Sequence, residues 1–454
     1  MLDIKITGGR VADIRNRQLK NADVGVKDGR IVQIGTDLPD AAETVDAAGQ
    51  VVSPGFIDIH MHEEDFSLTQ KKCWDIAECM LRMGVTTAVG GNCGSNRQQP
   101  SEMEDLMRLQ GGPVNYLFFI GHNFLRDLVG NRDTRAASTP EQIEQMARMV
   151  KDAVDEGAIG VSYGIEYARG MTYEEELGVC RYILGRDDLL LSAHYRRDAA
   201  GALPSIDEMA DLCRDTGIPF QISHLSSCSA YGNMREALDL IQKYRDSGLD
   251  VLADSYPYAA FSTSIGSDVF GPGCLEWIGA DYGDIELTDA PYEHVRCTRE
   301  IFEDARKNYP EMYAVAHVMR EEEIAMALAH PLVMTASDGL YRGHKGHPRG
   351  AGTFPRFLGK YVREEKLCDF FTGLEKITAM PAKRLRLDSR KGYLEVGYDA
   401  DITIFDPETI IDKATFADPQ LAPEGISRVI LNGKTALIGQ TIVDGGCGQY
   451  IRRL

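Results

Sequence analysis

The sequence predicts an α/β fold: a (β/α)8 TIM-like barrel carrying a small β-sandwich assembled from both chain ends. Three observations carry this. Short apolar runs alternate with longer amphipathic stretches through the middle of the chain, whereas both ends read as short strands alone. The length, 454 residues with 43% hydrophobic and 26% charged side chains, suits one large barrel with one small companion. Composition this close to the globular average excludes a disordered, fibrous or disulfide-stapled chain.

In the segment 1–54, apolar residues come in short bursts, Ile4/Ile6, Val24/Val26, Ile31/Ile34 and Val51/Val52, with a hairpin turn signal at Asp28-Gly29. The segment 392–454 repeats the texture with Ile402/Ile404, Val429/Ile430/Leu431, a turn at Asn432-Gly433, then Ile438 and Ile442/Val443. A few strands expose one apolar face and cannot bury a core alone, so the two ends are expected to form one composite β-sandwich domain. Between them, 55–391 reads as the barrel. Its strands are expected at 55–59, 86–90, 117–121, 159–163, 189–193, 220–223, 251–254 and 332–337, with helices such as 141–156 and 206–216 between them. The stretch 271–319 fits no βα unit and is expected to be an insertion near the active face.

Lys and Arg number 49 against 69 Asp and Glu, a net charge of −20. Nucleic acid and anionic membrane surfaces are therefore excluded as bulk partners, whereas a small anionic substrate needs only a local positive pocket. The ten cysteines are scattered without a C-x-x-C pair, no apolar run approaches the ~20 residues of a membrane span, and Met1-Leu2-Asp3-Ile4-Lys5 opens no apolar signal region. A cytoplasmic protein with reduced thiols is expected, and a homo-oligomer stays open.

The sharpest local feature is Gly55-Phe-Ile-Asp-Ile-His60-Met-His62. At a strand period of two, Asp58, His60 and His62 share one face, so two imidazoles converge at a strand end. Cys93, His194, His224 and Asp338 each follow or end another strand candidate, where barrel enzymes place their chemistry. Singly, each has a structural explanation. Together they form a nitrogen- and sulfur-rich set that suits Zn²⁺ better than Mg²⁺ or Ca²⁺.

This pattern, with a β domain split across both ends, resembles the amidohydrolase superfamily, and within it the N-acyl-D-amino-acid deacylase (D-aminoacylase) family. The matching stretches include Gly91-Asn-Cys-Gly94, Gly160-Val-Ser-Tyr-Gly-Ile-Glu-Tyr167, His194-Tyr-Arg196, Asp254-Ser-Tyr-Pro-Tyr258 with Ser262-Thr263, Ser337-Asp-Gly339, and His347-Pro-Arg349 followed by Gly352-Thr-Phe-Pro-Arg356. The resemblance implies that Cys93, His194 and His224 hold a tightly bound zinc, with His60 and His62 serving a second, weaker site. It implies that Asp338 is general base and acid and that Tyr167 helps hold the scissile carbonyl. It implies too that Tyr256, Ser262 and Arg349, the last in the basic stretch 342–349, receive the substrate's α-carboxylate. The implied reaction is hydrolysis of the linear amide of an N-acyl-D-amino acid. A metal supplies an acidified water and a polarised carbonyl, and a neighbouring carboxylate returns the proton to the leaving amine.

Three departures stand out. Ser226 occupies the position where the family carries a lysine, Glu63-Glu64-Asp65 replaces paired aspartates, and the 271–319 insertion is abbreviated. Arg196, Arg197 and Lys345 are the candidates to replace the missing cation. His122, ending the 117–121 run, is a candidate for pocket lining, whereas Cys73, Cys79, Cys180, Cys213 and Cys368 read as core or helix-surface thiols. Hydrolysis of a cyclic amide, or a catalytically silent binding relative, are the alternatives.

Overall fold

The apolar runs form a ring of eight parallel strands in the computed structural model, which describes residues 1–64, 74–342 and 344–453. Asp65 and Cys73 lie outside the described residues, as do Gly343 and the Arg342 side chain of the basic stretch 342–349. The strands are β1 (Phe56–Asp58), β2 (Val85–Gly90), β3 (Asn115–Phe118, resumed at Ile120–Gly121), β4 (Gly160–Gly164), β5 (Leu190–His194), β6 (Phe220–Ile222), β7 (Val251–Ser255) and β8 (Val333–Thr335). Each pairs in parallel with the next from β1 to β8. Helices cover the outside and side chains fill the inside, so every residue of β2, β4 and β5 is buried. That is why these strands read as runs of apolar and small residues instead of a strict apolar–polar alternation.

The ring closes just beyond the strand ends. Asp338 N donates to His60 O at 2.7 Å, His62 N donates to Gly339 O at 3.0 Å, and Met61 bridges Gly339 in parallel. Closure therefore runs through residues that the sequence marked for chemistry.

The connecting helices follow from local signals. Pro140–Asp155 starts at Thr139, whose hydroxyl accepts from Gln142 N while the Gln142 side chain accepts from Thr139 N, a reciprocal cap with proline in the first turn. Its buried stripe is Met146, Ala147, Val150, Ala153 and Val154. Ala202–Thr216 ends at Gly217, which takes the left-handed conformation that terminates helices.

After β7 the chain leaves the barrel at once. Phe261–Ser264 pairs antiparallel with Tyr313–Ala316, which pairs with Ile285–Leu287 and through it with Val295–Arg296. The excursion thus begins before residue 271, because the short run at 261 finds its partner some fifty residues on rather than in the barrel. A second core lies between two further sheets. One contains Leu2–Thr7, Asp23–Lys27, Arg30–Gly35 and Ala41–Asp46; the other joins Arg10–Asp13, Gln18–Asn21 and Val51–Pro54 to Ile402–Phe405, Ile426–Leu431, Lys434–Ile438 and Thr441–Ile442. Ile4, Ile6, Val24 and Val26 from the first meet Val52, Ile402, Ile404 and Ile430 from the second. Both hairpin signals, Asp28-Gly29 and Asn432-Gly433, have positive φ at both residues, as tight hairpin turns require. No helix among the described residues is long and apolar enough to cross a membrane.

Candidate active site

Six side chains meet at the C-terminal mouth of the barrel: His60 and His62 beyond β1, Cys93 beyond β2, His194 ending β5, His224 beyond β6 and Asp338 beyond β8. Three of the six, Cys93 (φ 50°), His224 (φ 31°) and Asp338 (φ 48°), have left-handed backbone that non-glycine residues rarely adopt. Such conformations cost about 1–3 kcal/mol each and persist only where surroundings enforce them. Here the enforcement is visible. Glu63 accepts from Gly91 N at 2.8 Å and Arg97 N at 3.0 Å, pinning the loop that carries Cys93. Asp254, in β7, accepts from His224 N at 2.7 Å. Asp338 N is tied to β1 by the ring closure.

The side chains converge closely. Cys93 Sγ lies 3.4 Å from His60 Nε2 and 3.3 Å from His224 Nε2. Asp338 Oδ1 is 3.1 Å from His62 Nε2 and 3.5 Å from His60 Nε2, and its Oδ2 is 3.0 Å from Arg349 Nη2. Within this cluster, His60/His62/Cys93, Cys93/His194/His224 and His60/His224/Asp338 each bring their ligand atoms within 4.8 Å of one another. A metal fits these residues on chemical grounds. Both ring nitrogens of His194 are buried without a hydrogen-bond partner, an arrangement that leaves their polarity uncompensated unless something coordinates them. Burial pushes the Cys93 thiol up, but His224 and His60 outweigh it and hold it well below the usual thiol range, in the thiolate form that binds metals. Burial disfavours protonated His194, yet Asp198 and Cys93 lift its pKa to about 10. For Asp338, burial is overridden first by Arg349 and then by His224, His62 and His60, so the carboxyl sits well below its usual range.

A second layer orients the first. Asp254 Oδ1 lies 3.2 Å from His60 Nδ1, and Ser227 Oγ lies 2.8 Å from His224 Nδ1. Asp198 Oδ1 is 3.5 Å from His194 Nε2, and Asp198 also forms a potential ligand group with His194 and Cys228. Asp58, pushed up to about 7 by burial, accepts from His60 N and Ser337 N. Sequence reasoning missed Asp198, Glu63 and Ser227, which carry no strand-end signal. Asp254 carried the same signal as Asp338 and could have been found by it.

A cavity of about 400 Å³ opens onto this cluster, with His62, Cys93, His224 and Asp338 in its lining together with Tyr167, Ser262 and Arg349. The Tyr167 ring is 4.9 Å from that of His194. Tyr256 is not in the lining. It is buried beneath Arg349, whose guanidinium lies 4.7 Å from its ring centre. His122 is not in the lining either: it turns inward, 3.2 Å from buried Glu175 and against Tyr163. None of the three expected replacement cations reaches the cavity. Arg196 is bound to Glu208 and Glu176, Arg197 faces Glu166 and Trp277, and half-buried Lys345 pairs with Glu293. Ser226 is buried in the short helix Leu225–Ser229.

The profile of the amidohydrolase family matches residues 43–178 and 304–437. The chain belongs to the amidohydrolase family. Amidohydrolase relatives similar to it over their whole length include the D-aminoacylase of Alcaligenes xylosoxydans xylosoxydans, 32% identical over 99% of this chain and 98% of that one. The N-acyl-D-glutamate deacylase of the same organism is 31% identical over 100% and 97%. Among solved structures, the N-acyl-D-glutamate deacylase of Bordetella bronchiseptica, complexed with zinc and a phosphonate mimic of the tetrahedral intermediate, superposes with a TM-score of 0.88 at 30% identity, covering 99% of each chain.

Proposed function

We propose that this amidohydrolase is a zinc-dependent deacylase that hydrolyses the linear amide of an N-acyl-D-amino acid. The observation that carries the reading is the position of Asp338: one oxygen faces the imidazole and thiolate cluster, and the other pairs with Arg349 in the same cavity. Cys93, His194 and His224 are the residues to hold one tightly bound zinc, with His60 and His62 serving a second, weaker site. Zinc bound there supplies a Lewis acid that polarises the scissile carbonyl and acidifies water.

The protein's own groups do the rest. Asp338, ionised and acceptor-only, takes the proton from the attacking water and delivers it to the amide nitrogen, which cannot leave as an anion. Tyr167 holds the carbonyl side of the substrate. Arg349 and Ser262 hold the α-carboxylate, and Tyr256 acts on it through Arg349 by fixing the guanidinium plane. The segments 1–54 and 392–454 are read as one supporting β domain, with 55–391 as the catalytic unit. The nine described cysteines are free thiols, which supports a reducing, cytoplasmic setting.

The test is a screen of zinc-loaded protein against N-acetyl-D- and N-acetyl-L-amino acids, with Asp338→Asn in parallel. Release of free D-amino acid that Asp338→Asn abolishes is the expected result. Hydrolysis of L-forms only, or of none, removes the assignment.

A further inference from the structure

The positive charge of the cavity is not accounted for by an α-carboxylate alone. Four arginines line it: Arg97, Arg126, Arg132 and Arg349. Two are satisfied internally. Arg349 is paired with Asp338 at 3.0 Å, and Arg126, buried, sits 2.5 Å from Glu175 and donates to Ser138 and to two backbone carbonyls. The guanidinium groups of Arg97 and Arg132 are exposed and have no hydrogen-bond or ion-pair partner among the described residues. Against them the lining offers one further acid, Asp127. The cavity lining therefore carries two uncommitted cations in a chain whose net charge is −20.

We propose that the substrate carries a second anionic group besides the α-carboxylate, and that Arg97 and Arg132 select for it. This rests on the deacylase reading and narrows its substrate class to dianionic N-acyl-D-amino acids. The geometry favours an oxyanion rather than a mere field effect. Arg97 projects from the loop that Glu63 clamps through the Arg97 backbone N–H, so its base is held while its head is free. Arg132 follows Asn131, whose side chain is tied to Ser138 beside the Arg126–Glu175 pair. Two guanidinium forks on anchored backbone, lining the same cavity as Arg349, suit a carboxylate held in two-pronged fashion. Exposed pairs of this kind contribute modestly, so the effect is one of selectivity and of encounter, sensitive to salt. The second carboxylate has two sources: the amino-acid side chain, as in a D-glutamyl or D-aspartyl substrate, or a dicarboxylic acyl group.

The experiment compares kcat/KM of the zinc-loaded enzyme on N-acetyl-D-glutamate against N-acetyl-D-glutamine, and on N-succinyl-D-methionine against N-butanoyl-D-methionine. The first pair reads a side-chain carboxylate and the second an acyl carboxylate. A preference for the dianion in either pair is expected. The preference ratio should fall about tenfold in the double variant Arg97→Gln/Arg132→Gln, chiefly through KM, and should weaken as salt rises. Arg148→Gln/Arg181→Gln, which removes two exposed charges outside the cavity lining, should leave the ratio in place. A preference for the monoanionic partner in both pairs, or no preference in either, overturns the proposal, as does a ratio that the double variant does not change, while the deacylase reading stands. Failure to hydrolyse any of the four substrates removes both.

Discussion

Arg349 Nη2 lies 3.0 Å from Asp338 Oδ2, a buried ion pair between the start of the helix Arg349–Arg356 and the residue that closes the barrel. Under the proposed function the pair would couple substrate binding to proton transfer: a substrate carboxylate arriving at Arg349 would share it with Asp338 and loosen the charge that holds Asp338 ionised.

Arg349→Gln should therefore do more than weaken binding. Truncating one partner of a buried charge pair costs roughly 2–5 kcal/mol, so kcat/KM should fall by at least about thirtyfold. Arg349 is the foremost influence lowering Asp338. Without it the Asp338 carboxyl titrates higher, and the acid limb of the kcat/KM profile should move to higher pH. A variant with raised KM and an unmoved acid limb would separate the two roles and count against the coupling.

Cys93→Ala should abolish tight zinc binding. It removes the one ligand atom common to the His60/His62/Cys93 and Cys93/His194/His224 groups. Atomic emission on the purified variant should find zinc strongly depleted against the wild type. A chelator should inactivate the wild type, with activity returning on added zinc.

Glu63→Gln tests the loop clamp. The Glu63 side chain accepts from Gly91 N and Arg97 N on its two oxygens. An amide offers one acceptor and turns its NH2 toward the other N–H. The loss should be roughly 1.5–3 kcal/mol of stability, by the usual worth of hydrogen bonds to a charged group. A displaced Cys93 should weaken zinc binding about 10–100-fold, as mutation of outer-shell partners does. Denaturant unfolding and a competitive zinc titration read the two effects.

Glu175 predicts a pH dependence of stability. Burial opposes its ionisation, but His122 and the hydrogen bonds from Ser138 override that and bring the carboxyl down to about 2. A depressed carboxylate stabilises the fold fully above its unfolded value near 4.3 and loses that contribution as pH falls through about 2. Glu175→Gln should cost on the order of 3 kcal/mol at neutral pH, and the gap to the wild type should close between about pH 4.5 and pH 2 in urea titrations. A gap that is constant with pH would show that packing, not charge, is lost.

Much of the molecule is legible without coordinates, for a physical reason. A barrel strand buried on both faces reads as a largely apolar run, and the residue after the run comes out at the end of the barrel where the mouth lies. Hence His60, His62, Cys93, His194, His224 and Asp338 could be picked out by position alone. The same signal misled at His122, which ends β3 but turns to Glu175, fifty-three residues along the chain. A strand end marks a chance of exposure to the cavity, not convergence.

What the sequence by itself determined is the alternation of buried runs and amphipathic helices, the turns at Asp28-Gly29 and Asn432-Gly433, and the chemical character of the mouth. These depend on local composition and period. Tertiary structure alone decided which charges are spent and which are free. Arg126 and Arg349 are neutralised by Glu175 and Asp338, Arg196 and Lys345 are committed elsewhere, and Arg97 and Arg132 are left facing the cavity. An ion pair is a relation across the ring, set by closure and loop path, and no spacing along the chain encodes it.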